Sequence, residues 1–544
     1  TPPTPPTPPT PTPPTPPTPP TPPTPTPPTP PTPPTPPTPT PPTPPTPPTP
    51  PTPPTPPTPP TPPTPPTPTE NSNAELPSGD LARSLTPQEN PAPQSRPTNT
   101  TTKGKLDQSI AALEEVFTRQ YEAYLGQPPT TPIQSIQQIQ TRLREVERET
   151  SIKPALLYIV FGRQNLGANA ALICPLSETE ENRHEQEPFL CDRSPNDTVE
   201  LIVVTGNNEP ISLQIPEATR QKVEALVKEM REEITKTTRD IQPNDYRKSS
   251  QELYQLLIAR IEPVLKQQGI TNLIIVPDVT IRSLPIAALH DGQQFLIEKY
   301  SLAIMPSFSL TKPHYVNISN SPILAMGAST FPQSADQKPL PAVSIELATI
   351  TANTNLSQLF LNQDFTLDNL KTKHSTGNFG IVHLATHAAF EPNDRKNSYI
   401  QLWDTKLQLP QMKELEWNNP QIELLVLSAC QTAIGDQQAE LGFAGLALQA
   451  GVKSAVATLW SSDDIGTLAL IAEFYQQLKQ GRTRAEALRQ AQIAILTGRV
   501  SIENGNLLLS NGTSIPLQEI AKSNNLKFDH PYYWSAFTVI GNPW

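Results

Sequence analysis

Leu424-Leu425-Val426-Leu427-Ser428-Ala429-Cys430-Gln431-Thr432 is the stretch on which the fold of this chain turns. An uninterrupted apolar run reads as a strand covered on both faces, which is the habit of parallel sheets flanked by helices. The run ends in a cysteine. A second stretch, Ile381-Val382-His383-Leu384-Ala385-Thr386-His387-Ala388, has the same build, with the strand ending near Leu384 and His387 in the loop just beyond. In open α/β sheets chemistry gathers at the carboxyl ends of the strands, so a Cys and a His at two such ends can meet in space. That pairing suits nucleophilic catalysis: the imidazole takes the thiol proton, the thiolate attacks a carbonyl, and the imidazolium protonates the departing amine.

Outward from these two runs, strands and helices alternate. Asn272 to Val276, Pro322 to Gly327, Gly380 to Leu384, Glu423 to Ala429 and Ser454 to Trp460 are short apolar runs bounded by turn residues. Helical patterns lie around Ser344 to Thr351, Ala439 to Ala450 and Ile465 to Leu478. The expectation is an α/β fold with a mostly parallel sheet flanked by helices. A helix from Ser250 points Leu253, Leu257, Ile261 and Leu265 inward, with a kink expected at Pro263.

Upstream, residues 103–240 read as a smaller α+β unit. Leu106, Ile110, Leu113, Phe117 and Tyr124 recur at helical spacing, as do Ile133, Ile136, Ile139, Leu143 and Val146 after Pro128-Pro129. Strand-like runs follow at Ala155 to Phe161, Ala171 to Cys174, Val199 to Thr205 and Ile211 to Ile215, then a helix carrying Val223, Leu226, Val227, Met230 and Ile234 on one face. Asp240 to Arg247 reads as a polar hinge.

Residues 1–69 contain only Thr and Pro, in Thr-Pro-Pro repeats with occasional slips. Proline fixes φ and removes the amide donor, so the tract reads as extended polyproline II, a semi-rigid spacer of about 3.1 Å per residue. Polar residues up to 102 continue this disordered linker. Thr1 is not an initiator Met and no signal peptide is visible, so the reading is of a fragment or processed product with an upstream domain ahead of the spacer. Taking the tract from the 544 residues leaves 475, over which the hydrophobic share rises to about 40 %, enough for a large core. A net charge of -11 makes the whole chain a poor nucleic-acid ligand, and no apolar run reaches the roughly 18 residues of a membrane span. Three cysteines exclude a disulfide framework, while one Cys174–Cys191 bridge stays open.

The quoted segments carry a resemblance. Ser428 to Thr432 is similar to the caspase nucleophile signature, which follows its His by about 50 residues. The ordered set is similar to the CHAT domain family, caspase-like peptidases related to separases. It comprises Ile281-Arg282-Ser283-Leu284-Pro285 through Gly292, Met305-Pro306-Ser307, His383 to His387, Leu427 to Thr432, Ala457-Thr458-Leu459-Trp460 and His530-Pro531-Tyr532-Tyr533-Trp534. The match runs in family order from about 250 to 542, and the domain it implies is expected over 248–544. It implies a caspase-type fold, Cys430 as nucleophile, His387 as base, and an oxyanion site made by backbone N–H groups of Cys430 and Ala388. The family often has Gly where this chain has Ala388; alanine keeps the N–H, at a cost if φ must be positive. Related peptidases use acidic residues to hold the residue before the cut, and Asp464, then Asp463, match that place. The other use of this Asp pair is to cap the helix from Ile465. His530 to Trp534 resembles the family's final strand, its aromatics assigned to the core.

The resulting expectation is a cysteine endopeptidase acting on protein or peptide substrates, after a basic residue if the Asp pair reads it, with no cofactor. The alternative is a silent caspase-like interaction module on a long stalk. His383 and His387 have zinc-like spacing for a helix, but the stretch reads as strand then loop and offers no third ligand, so no metal is expected. Residues 103–240 are the expected place for regulation, as a flanking unit packed on the peptidase that holds its specificity loop closed; a regulatory partner or an upstream domain missing from this chain is the other expected source. Localisation stays open between cytoplasm and cell surface, since the stalk suits one and the thiol the other.

Overall fold

In a computed structural model of the chain, residues 100–124, 128–162, 194–236, 245–352, 356–390, 398–428, 431–432, 451–461, 463–517, 520 and 527–544 are described. The Thr/Pro tract, the expected strand at Ala171 to Cys174, Cys191, the expected helix at Ala439 to Ala450, and Cys430 itself lie outside the described residues.

One 11-stranded sheet organises the molecule. Its strands are β1 (Pro154–Gly162), β2 (Thr198–Thr205), β3 (Ile211–Thr219), β4 (Asn272–Pro277), β5 (Ser301–Ile304), β6 (Ile323–Gly327), β7 (Gln358–Leu361), β8 (Ile381–Ala385), β12 (Leu424–Leu427), β14 (Ser454–Thr458) and β18 (Phe537–Gly541). Two small sheets use β9 (Ala388–Phe390), β10 (Tyr399–Gln401), β11 (Lys406–Gln408) and β13 (Gln431–Thr432), and β15 (Ser501–Glu503), β16 (Asn506–Leu508) and β17 (Ser514–Pro516). The main order is β3-β2-β1-β4-β5-β18-β14-β12-β8-β6-β7. Neighbours run parallel except at β3–β2, β2–β1 and β18–β14. Two parallel blocks of opposite direction therefore meet at β18–β14. The expected mostly parallel α/β sheet is present.

Helices cover both faces: α1 (Thr100–Tyr124), α2 (Ile136–Thr150), α3 (Arg220–Thr235), α4 (Arg247–Leu257), α5 (Glu262–Gln267), α6 (Ala342–Thr351), α7 (Leu367–Thr376), α8 (Asp464–Leu478), α9 (Arg484–Leu496) and α10 (Pro531–Trp534). Residues of β8 alternate between the faces. Ile381 and Ala385 join the core that holds α3, α4, α6, α8 and α9, while Val382 and Leu384 join the core with Leu370 of α7. Each buried Ile, Val or Leu side chain among these is worth roughly 1.5–3 kcal/mol.

Residues upstream of 240 share this framework. β1 pairs with β4 from Pro154↔Asn272 to Ile159↔Pro277, and the apolar stripe of α3 belongs to the same continuous core as Leu468 and Phe474 of α8. The expected division near 240 thus falls between segments that share one sheet. α1 is fastened to it by a buried carboxylate. Glu114 accepts from Tyr158 Oη (2.8 Å), Phe308 N (3.1 Å), Ser309 N (2.7 Å) and Ser309 Oγ (2.6 Å). The first amides of a helical turn have no partner inside it, and Glu114 supplies one.

Three local expectations are corrected. Ile133 precedes α2, because Ser135 and Gln138 form a capping box that starts the helix at Ile136. Pro263 does not kink a continuous helix. The chain turns after Leu257, and Pro263 lies in the first turn of α5, where its missing N–H costs nothing. His530 to Trp534 is no strand: His530 Nδ1 caps Tyr532 N, Pro531 opens α10, and the strand begins at Phe537. Tyr533 and Trp534 are buried in the core as expected.

Candidate active site

Within the block β14-β12-β8-β6-β7, β6 leads outward to β7 and β8 leads outward to β12. The two strands run parallel, but the winding order of the sheet reverses between β6 and β8, and such a switch point opens a crevice at the carboxyl ends. The two strands approach closely there. A Cβ on Gly327 would lie 2.5 Å from the Ala385 carbonyl oxygen and 3.0 Å from Val343 Cγ1, so glycine is the residue that fits. His387 follows β8 directly at this mouth.

Two registers set the described residues on either side of Ala429 and Cys430 beside the stretch that holds His387. In the main sheet Leu424 to Leu427 run parallel to Ile381 to Leu384, and Ser428 N donates to Leu384 O at 3.2 Å. Beyond the strand ends, β9 begins at Ala388 and β13 at Gln431, and they pair in parallel as Gln431↔Ala389 and Thr432↔Phe390. Neighbouring strands lie about 4.8 Å apart. Ser428 and Gln431, on either side of Ala429 and Cys430, are thus both registered to the stretch that contains His387. On its other side β10 holds the backbone: Gln401 N donates to His387 O (2.9 Å), and Thr386 Oγ1 donates to Gln401 O (2.6 Å).

The His387 ring is buried, with 8 % of the residue exposed. Its Nε2 lies 2.8 Å from the Lys338 carbonyl oxygen. A carbonyl can only accept, so Nε2 carries the hydrogen and Nδ1 keeps its lone pair. The Phe331 ring lies 5.3 Å from the imidazole. Burial pushes the His387 pKa down from 6.5; the Lys338 carbonyl opposes this, and the Lys338 charge adds to it. The ring is therefore neutral at pH 7, as a base must be. Lys338 and Phe331 belong to a strap, residues 330–341, that runs from β6 to α6.

Ala388 is an extended strand residue, so no positive φ is imposed on it. Asp463 caps α8, its Oδ1 accepting from Ile465 N (3.0 Å) and Gly466 N (2.9 Å). Asp464 turns to a neighbouring helix, its Oδ2 accepting from Ala342 N of α6 at 2.9 Å. Burial raises the Asp464 pKa to about 6; the Ala342 bond opposes this, and Glu346 and Asp463 add to the rise.

His383 does not join His387. It is fully buried, with Nε2 2.8 Å from Glu346 Oε1 of α6 and Nδ1 3.2 Å from Tyr475 Oη of α8. Among the described residues no group of three His, Cys, Asp or Glu could hold a metal ion. Arg231 of α3, also buried, donates to the carbonyls of Ser283 and Leu459 and so ties together two of the segments that carry the resemblance. Sequence reasoning missed the Lys338 carbonyl, which no residue type announces. It also missed Glu346, although an acid on the stripe of Ala342, Val343, Leu347 and Ile350 is a readable sign of a buried polar partner.

Residues 247–542 match the family model described as CHAT domain. No curated protein matches. Among solved structures, the chain is similar to separase in the Saccharomyces cerevisiae separase–securin complex at 11 % identity and TM-score 0.39, covering 74 % of this chain and 31 % of that one. It is also similar to the Arg-specific cysteine proteinase gingipain R, at 12 % identity and TM-score 0.32, with 60 % and 74 % covered. A third is the complex of Porphyromonas gingivalis RgpB pro- and mature domains, at 11 % and TM-score 0.32, with 59 % and 76 % covered. The chain thus spans about a third of the separase chain. Among the described residues no helix is long and apolar enough to cross a membrane.

Proposed function

The chain belongs to the CHAT domain family, and from that premise we propose that it is a caspase-like cysteine endopeptidase with Cys430 as nucleophile and His387 as base. The observation that carries the reading is the double register: β12 beside β8 before the two residues, and β13 beside β9 after them. His387 Nδ1, left with its lone pair because Nε2–H is committed to Lys338, takes the thiol proton. The thiolate attacks the scissile carbonyl, forming a C–S bond and an oxyanion held by the N–H groups of Cys430 and Ala388. The tetrahedral intermediate collapses, the C–N bond breaks, and the imidazolium gives its proton to the leaving amine. Water, deprotonated by the same imidazole, then cleaves the thioester and restores the thiol.

The test is to incubate the full chain and its Cys430→Ala variant with a diverse peptide library and read new termini by mass spectrometry. Cleavage present in the parent and absent in the variant supports the peptidase. Equal patterns from both refute it and leave the interaction module. Enrichment of Arg or Lys before the cut supports cleavage after a basic residue, and loss of that enrichment on substituting Asp463 or Asp464 would assign the reading to that residue.

A further inference from the structure

We propose that Asp464 is a positioning residue for His387, anchoring the far end of the strap whose Lys338 carbonyl orients the imidazole. The proposal rests on His387 being the base and adds what holds it in its tautomer.

The strap is fixed at both ends by side chains remote in sequence. At its start, Asn362 Oδ1 accepts from Ser329 N (2.9 Å), Ser329 Oγ (3.2 Å) and Thr330 N (3.1 Å). Its neck closes where Leu340 N donates to Ser329 O at 3.0 Å. Its end passes into α6, whose first amide, Ala342 N, donates to Asp464 Oδ2 at 2.9 Å. Between these anchors the strap presents one carbonyl, that of Lys338, to His387 Nε2 at 2.8 Å and sets Phe331 against the ring.

The division of labour within the Asp pair supports the assignment. Asp463 alone caps α8 through two amides, so Asp464 is not needed there. Its carboxylate instead crosses to α6 and stays partly buried, facing Asp463 on its own helix and Glu346 on α6, which is paired with His383 of β8. Tyr475 of α8 lies against the same Glu346–His383 pair, and Lys338, on the exposed side of the strap, faces His387. Burial and the nearness of Glu346 and Asp463 disfavour the carboxylate, and the bond from Ala342 N, where the strap passes into α6, opposes that cost. A carboxylate reading Arg or Lys must meet the substrate, whereas this role needs only an acceptor. Asparagine keeps an acceptor and loses the charge, so the two roles separate.

The full chain, labelled with 15N-histidine, is compared with Asp464→Asn and Asp464→Ala by NMR of the imidazole nitrogens, His387 being assigned by His387→Gln. The parent and Asp464→Asn should show His387 as the Nε2–H tautomer with a protected ring proton. In Asp464→Ala that protection should fall about tenfold or more, as for loss of one hydrogen bond, and both tautomers should appear. In peptide profiling, Asp464→Ala should lower kcat about tenfold to a hundredfold with the residue preference before the cut unchanged, and Asp464→Asn should restore it. If Asp464→Ala does not fold, Asn362→Gly releases the strap's other end while keeping the positive φ of that position, and should give the same His387 signature. Unchanged His387 signals in the releasing variants overturn the proposal. So does loss of an Arg or Lys preference in Asp464→Asn as complete as in Asp464→Ala. The NMR signals need no turnover, so a chain that cleaves nothing refutes the peptidase and still decides the strap.

Discussion

Replacing Glu114 by alanine tests whether α1, which precedes the family-matched residues, is part of the folded unit. Its carboxylate receives Tyr158 Oη, Phe308 N, Ser309 N and Ser309 Oγ, and Glu114 is fully buried. The hydroxyls can rotate to other partners. The Phe308 and Ser309 amides cannot, since a first helical turn offers them no carbonyl. Each buried amide deprived of its acceptor costs about 1–3 kcal/mol, so Glu114→Ala should lose on the order of 3–5 kcal/mol. Glu114→Gln keeps one carbonyl oxygen but turns an NH2 toward donors, and should lose about half as much. Urea unfolding followed by tryptophan fluorescence is a suitable assay, because Trp544 lies in the same core cluster as Ile110, Leu113 and Phe117 and donates to Asn272 Oδ1 at 3.0 Å. The midpoint should move with the slope unchanged, as for a single cooperative unit. A loss below about 1 kcal/mol, or an early separate transition, would show that α1 is an appendage and that the burial argument fails.

Four further outcomes are expected. Asp464→Asn should be more stable than the parent at pH 7.5 and no more stable near pH 3.5. The folded state holds the Asp464 proton up to about pH 6 against an ordinary 3.8, so the parent loses stability as pH rises through that window, on the order of 2–3 kcal/mol, and calorimetry at the two pH values reads it. Gly327→Ala should cost about 1–3 kcal/mol and lower cleavage, because its Cβ meets the Ala385 carbonyl at 2.5 Å beside His387; equal melting temperatures would contradict this. The acid limb of kcat/KM should fall below the ordinary imidazole value of 6.5, since burial depresses His387; a limb above that value would mean another group titrates. Arg231→Met removes the donors to Ser283 O and Leu459 O and should cost about 2–4 kcal/mol by urea titration; a loss under about 0.5 would rule out a tie between the two segments.

What was legible in the sequence followed from local pattern. The apolar runs at Ile381 and Leu424 announced their strands, and the strand-end rule put His387 at the mouth of the crevice. What was not legible depends on pairing across long separations. Nothing local in Pro154 to Gly162 says that it will lie beside Asn272, so residues before 240 read as a separate unit although they extend the same sheet. The strap is hidden for a related reason: its contact is a main-chain carbonyl, and every residue has one. The errors at Ile133 and Pro263 arose where capping and proline chemistry overruled apolar spacing, and at His530 the same chemistry opens a helical turn where the resemblance implied a strand. The nucleophile role that the resemblance implies for Cys430 stays a proposal, with Ser428 and Gln431 on either side registered to the stretch that holds His387.

The position of β18 has a consequence for biosynthesis. Phe537–Gly541 lies between β5 and β14, joining two blocks whose other strands are all synthesised earlier. While the chain is being translated, each block can collect its own helices, but the strand that connects them is still in the ribosome. The crevice beside β8 therefore belongs to an unjoined half until about residue 541 has emerged, and a nascent chain that stalls earlier exposes two open β edges to its neighbours in a polysome. The 11-stranded framework is complete only once β18 is available to join its two blocks.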